Sequence, residues 1–247
     1  MTYSTSGLIL RARPYGESDR LFTVFTREQG KTTFLARGVR KAKSKLSRKL
    51  AFFAELDFFL AKGRRWDIVA GVETGSNYSG ILEGFGRMSA GFYFLELVDR
   101  FLGEHVADPR VYEWILFGLG EIGSWEKNEK KNHHPMFIPI MTLRLLAYLG
   151  YYPHLEDCAR CHGRLDLSAL FMSYLDGGVL CRDCQQRGGE GIKISGDDIL
   201  FLESIKSELW QDSIEESKNK RRPSLLELVP SFLRFRLEQE MKTQKFI

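Results

Sequence analysis

Between Gly7 and Gly75 the chain is written in short runs that alternate apolar with polar residues. GLILRAR (7–13) alternates apolar and basic positions, and DRLFTVFT (19–26) sets Leu21, Thr23 and Phe25 on one face. KTTFLARG (31–38) follows the turn REQG, and AELDFFLAK (54–62) and DIVAGVETG (67–75) come after a basic connection. A period of two, β-branched and aromatic residues, and Gly, Pro or charged boundaries predict five β-strands. Five antiparallel strands in the first eighty residues suit a small closed barrel, because closure leaves no strand edge exposed. An OB-type barrel is the best match in strand number and size, with the stripe Leu21-Thr23-Phe25 facing its interior.

Past Ser76 the period lengthens. GILEGFGRMSAGFYFLELVDRFL (80–102) spaces Phe85, Met88, Phe92, Leu95 and Leu102 as a helix does. Asp108-Pro109 opens a second helix, with Asp as N-cap and Pro at the first helical position, and this helix fades at Gly123. The polar stretch SWEKNEKKNHHP (124–135) reads as a surface loop, in which His133 and His134 carry no chemistry, and a third helix spans 136–149. Another helix starts at SGDD (195–198) with Ser195 as N-cap, KNKRRP (218–223) is a loop, and a last helix covers 224–242. The predicted fold class is therefore α+β and multidomain. An OB-type barrel occupies 1–78, and a mostly helical domain, 79–247, carries an inserted ribbon at 154–187.

The ribbon holds all four cysteines, as Cys158-x-x-Cys161 and Cys181-x-x-Cys184 with nineteen residues between the pairs. Two residues between thiols let both sulfurs of a tight turn face one ion, and two such knuckles close a tetrahedron of thiolates around zinc. ALFMSY and GGVLC supply two short strands, with Gly177-Gly178 at the turn. Four sulfur ligands fill every position of such an ion, which points to a structural rather than a catalytic zinc. His162, beside Cys161, is a poor fifth ligand. The spacing differs from ferredoxin-like runs, and neither pair sits in the βαβ context of a thioredoxin-like redox motif. The deaminase and H-E-x-x-H patterns are absent.

Charge changes the picture of the barrel. Net charge is only +4, yet residues 1–80 hold fifteen Lys and Arg against seven Asp and Glu, and the remainder holds twenty-one against twenty-five. RGVRKAKSKLSRK (37–49) carries Arg37, Arg40, Lys41, Lys43, Lys45, Arg48 and Lys49 with no acid among them. Such a run offers cations to successive phosphates, and it leaves the third strand where OB barrels carry nucleic acid. Arg13, Lys31, Arg64 and Arg65 extend the same candidate patch. Tyr15, Phe22, Phe25 and Phe34 are aromatics available for base stacking, though most fit a barrel core better. A nucleophile with a nearby base, a Walker loop and a paired-carboxylate motif are all absent, so an enzyme is not the expected class.

The most apolar run, FIPIMTLRLLAYLGYY, carries Arg144 and is shorter than the ~20 residues a membrane helix needs. With no signal-peptide pattern at the N-terminus, the expected compartment is the cytoplasm, where thiols stay reduced. From the residues alone, an RNA-binding barrel with a zinc ribbon, attending ribosomes or transfer RNA, stays open beside DNA binding.

The residues GLILRARPYGESDRLFTVFTREQGKTTFLARGVRKAKSK resemble the N-terminal signature of the bacterial RecO family of recombination mediators. The likeness lies in the first strand ending in basic residues, the YGESDRL turn, the T-x-x-x-G turn and the ARG-V-R-K exit. LRLLAYLGYYPHLEDCARCHG and GGVLCRDC resemble that family's helix-plus-zinc module. Two departures are His162, where the family reads C-x-x-C-G, and LAFFAEL (50–56), which is looser than the usual pattern. The resemblance implies an OB domain followed by a helical domain with zinc, in a cytoplasmic, nucleoid-associated protein. It implies binding of single- and double-stranded DNA and annealing of complementary strands. It implies action with RecR to load recombinase onto strands covered by single-stranded DNA-binding protein (SSB), whose acidic, aromatic C-terminal tail docks on the helical domain. Such a tail needs an apolar pocket with a cation at its mouth, for which Arg144, Leu145 and Leu149 are the candidates.

Overall fold

A computed structural model describes residues 1–125, 135–218, 220–237 and 241–246. The loop expected at 124–135, with His133 and His134, and the end of the last helix beyond 237 lie largely outside the described residues. The chain divides into two compact units, Met1–Asn132 with Lys245–Ile247, and His133–Gln244. The strand-to-helix change falls after residue 77, so by compactness the barrel and the first two helices make one unit. Among the described residues, no helix is long and apolar enough to cross a membrane.

In the first unit, β1 (Thr2–Tyr15), β2 (Asp19–Thr26), β3 (Gly30–Ala36), β4 (Ala54–Ala61) and β5 (Asp67–Asn77) close in the order β1-β2-β3-β5-β4. All pairings are antiparallel except a short parallel contact in which Phe34 and Leu35 of β3 meet Asp67 and Ile68 of β5. This is the five-stranded closed sheet that the alternation predicts. Its interior is filled by Ile9, Phe22, Val24, Phe34, Leu56, Phe58, Leu60 and Val72. The inward stripe of β2 is thus Phe22 and Val24, which corrects the assignment of Leu21, Thr23 and Phe25 to the interior. Those three are also buried, but on the outer wall, where Phe25 packs against Tyr112 at 5.6 Å between ring centres. A strand covered on both faces loses the alternation that betrays its inner side.

After a 3-10 turn at Ser79–Glu83 come α1 (Phe85–Phe101) and α2 (Pro109–Ser124). Asp108 caps α2 as expected, its carboxylate accepting the amides of Arg110 and Val111. The second unit begins with α3 (Phe137–Tyr148), nearly all of it buried. A ribbon follows, made of β6 (Leu170–Ser173), β7 (Gly178–Leu180), the short α4 (Arg182–Gln186) and β8 (Ile192–Ile194). The sheet order is β7-β6-β8, so β8 adds a third strand to the two that were expected. Next come α5 (Gly196–Lys206), α6 (Trp210–Ser217) and α7 (Pro223–Leu237). Ser195 and Asp198 form a reciprocal capping box at the start of α5. The chain turns from β6 into β7 at Gly177 with φ +75°, and a Cβ on Gly178 would collide with the His154 carbonyl. Glycine meets the first without strain, and only glycine fits the second.

Candidate nucleic-acid interface and metal centre

The basic segment joins β3 to β4, and its backbone is built of successive turns. Val39 is buried, and Leu46, Leu50 and Phe52 pack against the barrel core, so the apolar residues anchor the segment. That anchoring turns the charges outward: Arg37, Arg40, Lys41, Lys43, Lys45, Arg48 and Lys49 are all exposed. Among the described residues none of these seven forms an ion pair within 4.0 Å. The segment is tied to the β1–β2 turn in three places. The Arg40 amide donates to the Ser18 carbonyl, the Arg40 guanidinium donates to the Gly16 carbonyl at 3.2 Å, and the Gly38 amide donates to the Asp19 carboxylate at 2.7 Å. That last bond, helped by Ser18, Arg37 and Lys41, holds the Asp19 carboxyl below the usual carboxylate range despite partial desolvation.

Of the other predicted cations, Arg13 is exposed near the end of β1, and Arg64 and Arg65 are exposed in the β4–β5 turn. Lys31 is a correction. It is 8% exposed, and its ammonium donates to the Asp99 carbonyl of α1 at 2.6 Å beside the Asp99 carboxylate at 3.6 Å. A buried lysine is retained only where paired, and here the pairing joins barrel to helix. Lys31→Met is therefore expected to lower unfolding free energy by ~1–3 kcal/mol while leaving the salt dependence of DNA binding as in the wild type. Denaturant unfolding and a salt titration check the two halves.

Three of the four candidate stacking aromatics, Phe22, Phe25 and Phe34, are core residues at 0–2% exposure. Tyr15 is exposed at the end of β1 and stands edge-to-face with Trp66, ring centres 5.1 Å apart. Sequence reasoning passed over Trp66. Its signal was the tripeptide Arg64-Arg65-Trp66, an aromatic set beside two cations in a turn.

In the ribbon the four Sγ atoms of Cys158, Cys161, Cys181 and Cys184 lie within 4.8 Å of one another, with Cys161 and Cys181 at 3.8 Å. Four thiolates around one zinc at ~2.3 Å stand about 3.8 Å apart, so the donor set fits a tetrahedral thiophilic ion. The Cys181 amide donates to the Cys158 sulfur at 3.4 Å. Burial opposes ionisation of Cys158, but the amides of Cys181, Cys161 and Arg160 hold its thiol down at about 6. The Cys161 side chain, then burial, pushes Cys184 up to about 12. Four thiolates cannot share this space without a cation between them. Arg160 braces the knuckles by pairing with Asp176 and donating to the Cys184 carbonyl.

His162 closes the first knuckle, its amide donating to the Cys158 carbonyl at 2.8 Å. It does so at φ +55°, a conformation that a glycine adopts without penalty. Its ring Nδ1 bonds the Asp157 carboxylate at 3.3 Å, and the four clustered sulfurs already suffice for a tetrahedral ion without it. The left-handed backbone explains why this position favours glycine. His162→Gly is expected to raise the unfolding free energy of the metal-loaded chain by up to ~1 kcal/mol, measured by thermal unfolding.

Arg144, Leu145 and Leu149 do not form a pocket mouth, and this too is a correction. Arg144 is 8% exposed, and its guanidinium donates to the carbonyls of Ile205, Lys206 and Ser207 at the end of α5. It also lies over the rings of Tyr148 and Trp210. Leu145 is fully buried and Leu149 half-buried. The charge serves as a helix cap from a neighbouring helix, satisfying carbonyls that α5 leaves orphaned.

Two family models match the chain. "Recombination protein O N terminal" covers residues 1–78, and "Recombination protein O C terminal" covers residues 82–245. Similar curated proteins carry the name DNA repair protein RecO. One from Streptomyces griseus subsp. griseus is 31% identical over 253 residues, spanning 99% of this chain and 98% of the relative. One from Dehalococcoides mccartyi is 31% identical over 241 residues, 97% and 92% of the two chains. Another, from Desulfitobacterium hafniense, is 32% identical over 212 residues, 84% and 75%. These matches give no support to the RNA-binding alternative.

Proposed function

Because the chain belongs to the recombination protein O family, we propose that it is a non-catalytic recombination mediator that anneals complementary DNA strands. A role in DNA repair and recombination comes with that membership. The finer reading is that the barrel unit binds strands, and that with RecR the protein helps load recombinase onto DNA covered by SSB. The observation that supports it is the segment 37–49, seven exposed cations outside ion pairs among the described residues, turned outward by Val39 and by leucines packed on the barrel core. Annealing is limited by repulsion between strands and by the search for register. A dense basic surface screens phosphates on two strands at once and raises their local concentration. Contacts to phosphate carry no sequence, so strands slide until bases pair. No catalytic residue is needed. In this reading Cys158, Cys161, Cys181 and Cys184 hold a structural zinc that fixes the ribbon, and the SSB tail docks elsewhere than at Arg144.

The test is annealing of complementary fluorescent oligonucleotides, first naked and then coated with SSB. Acceleration in both conditions is expected. Binding without acceleration of pairing in either condition would overturn the mediator reading.

A further inference from the structure

A phosphate surface alone does not tell one strand from two, yet an annealing protein handles unpaired bases. In a duplex the base faces are covered by their neighbours, and only an unpaired base offers its face to an aromatic ring. On the barrel unit, Tyr15 is exposed beside a second aromatic and a cluster of cations.

Tyr15 ends β1 with 43% of its surface exposed, and neither it nor Trp66 belongs to the barrel core. Trp66 meets Tyr15 edge-to-face at 5.1 Å, and the Arg65 guanidinium covers the Trp66 ring at 4.4 Å. The indole is thereby covered by Arg65 and half-buried, while the tyrosine stays exposed. The turn that carries Trp66 is fixed from below. The Asp67 carboxylate accepts the Gly63 amide at 3.2 Å, the Lys62 ammonium at 2.8 Å and the Tyr3 hydroxyl. A Cβ on Gly63 would collide with the Trp66 carbonyl, so the turn has a single tight shape. Exposed cations lie next to it along the chain and across the turn. Arg13 leaves the same face of β1 two residues earlier, and Arg40 of the basic segment binds the carbonyl of Gly16, the next residue along. The nearby acid Asp19 is consumed by the Gly38 amide and the Ser18 hydroxyl, whereas Glu17 stays exposed in the turn.

We propose that Tyr15, whose ring meets Trp66, is a base-stacking residue that receives one unpaired nucleobase and gives this surface a preference for single strands, with Arg13, Arg40 and Arg65 supplying phosphate contacts beside it. The proposal rests on the reading of the barrel unit as a DNA-binding surface and adds the element that phosphate contacts lack.

The experiment titrates the full chain, as wild type, Tyr15→Ala and Tyr15→Phe, against three labelled DNAs at one salt concentration: an oligodeoxythymidylate, an abasic strand of equal length and a blunt duplex. Tyr15→Ala is expected to lose roughly 5- to 150-fold in affinity for the thymidylate, and Tyr15→Phe to keep it. On the abasic strand and the duplex the three proteins are expected to coincide. Unchanged thymidylate affinity in Tyr15→Ala would overturn the proposal. A loss of equal size on all three DNAs would also overturn it, because Tyr15 would then only shape the charged surface. Wild-type protein that binds none of the three contradicts the DNA reading itself, a failure distinct from that of the tyrosine.

Discussion

Reversing Arg37, Arg40, Lys41 and Lys43 together to Glu is expected to weaken single-strand binding by roughly 10²–10³-fold at ~0.1 M salt, and annealing with it. The size follows from counterion release, in which each phosphate contact to a single strand contributes about 0.7 of a decade per decade of salt. The change also takes the formal charge of the chain from +4 to −4, because each of four reversals removes two charges. Stability should hardly move. The four side chains are exposed and, among the described residues, outside ion pairs, and the segment is anchored by Val39, Leu46 and Leu50, which stay. The reversal gives up the hydrogen bond from the Arg40 guanidinium to the Gly16 carbonyl, which lies at the surface. Fluorescence anisotropy and denaturant unfolding on the same variant separate the two effects. Full DNA affinity in a folded variant would remove this segment from the interface.

The second large effect is expected at the cysteine cluster. Cys181→Ser removes one corner of the tetrahedron, and binding energy at structural zinc sites is on the order of 10 kcal/mol that the fold otherwise lacks. The ribbon core is small: Cys158, Leu180 and Cys184, with Ala159, Leu165 and Phe171 against them. A cluster of that size does not hold a fold on burial alone. Cys181→Ser, or a strong chelator on the wild type, should abolish bound zinc and melt the ribbon. DNA binding should persist, because the basic segment lies in the other compact unit. Atomic absorption, hydrogen exchange over 154–194 and anisotropy report the three outcomes. A zinc-free variant whose ribbon amides stay protected would contradict the structural role.

Much of this was legible in the chain. Strand alternation placed the last four barrel strands within two residues of their observed ends and missed only the opening stretch of β1, which starts at Thr2 rather than Gly7, and Asp108 and Ser195 announced two helix starts through their capping chemistry. The cysteine spacing brought four sulfurs together because two C-x-x-C turns leave few other geometries. What escaped depends on tertiary partners that no local pattern encodes. Lys31 and Arg144 read as surface cations, since nothing near them in sequence shows that Asp99 or the end of α5 stands opposite. The inner face of β2 was misread because helices bury its outer face as well. With only three residues, β8 is too short for a period to show. Trp66 drew no notice because its partner, Tyr15, lies fifty-one positions away and meets it only when the barrel closes.

The measurement closest to the central claim is the slope of log affinity against log salt for a single-stranded oligonucleotide, wild type beside the four-residue reversal. If the segment's cations neutralise phosphates, the wild-type slope should exceed the variant's by about 3, four contacts at about 0.7 each. Equal slopes would show that the exposed charges of 37–49 touch no DNA, and the account of annealing built on them would fall.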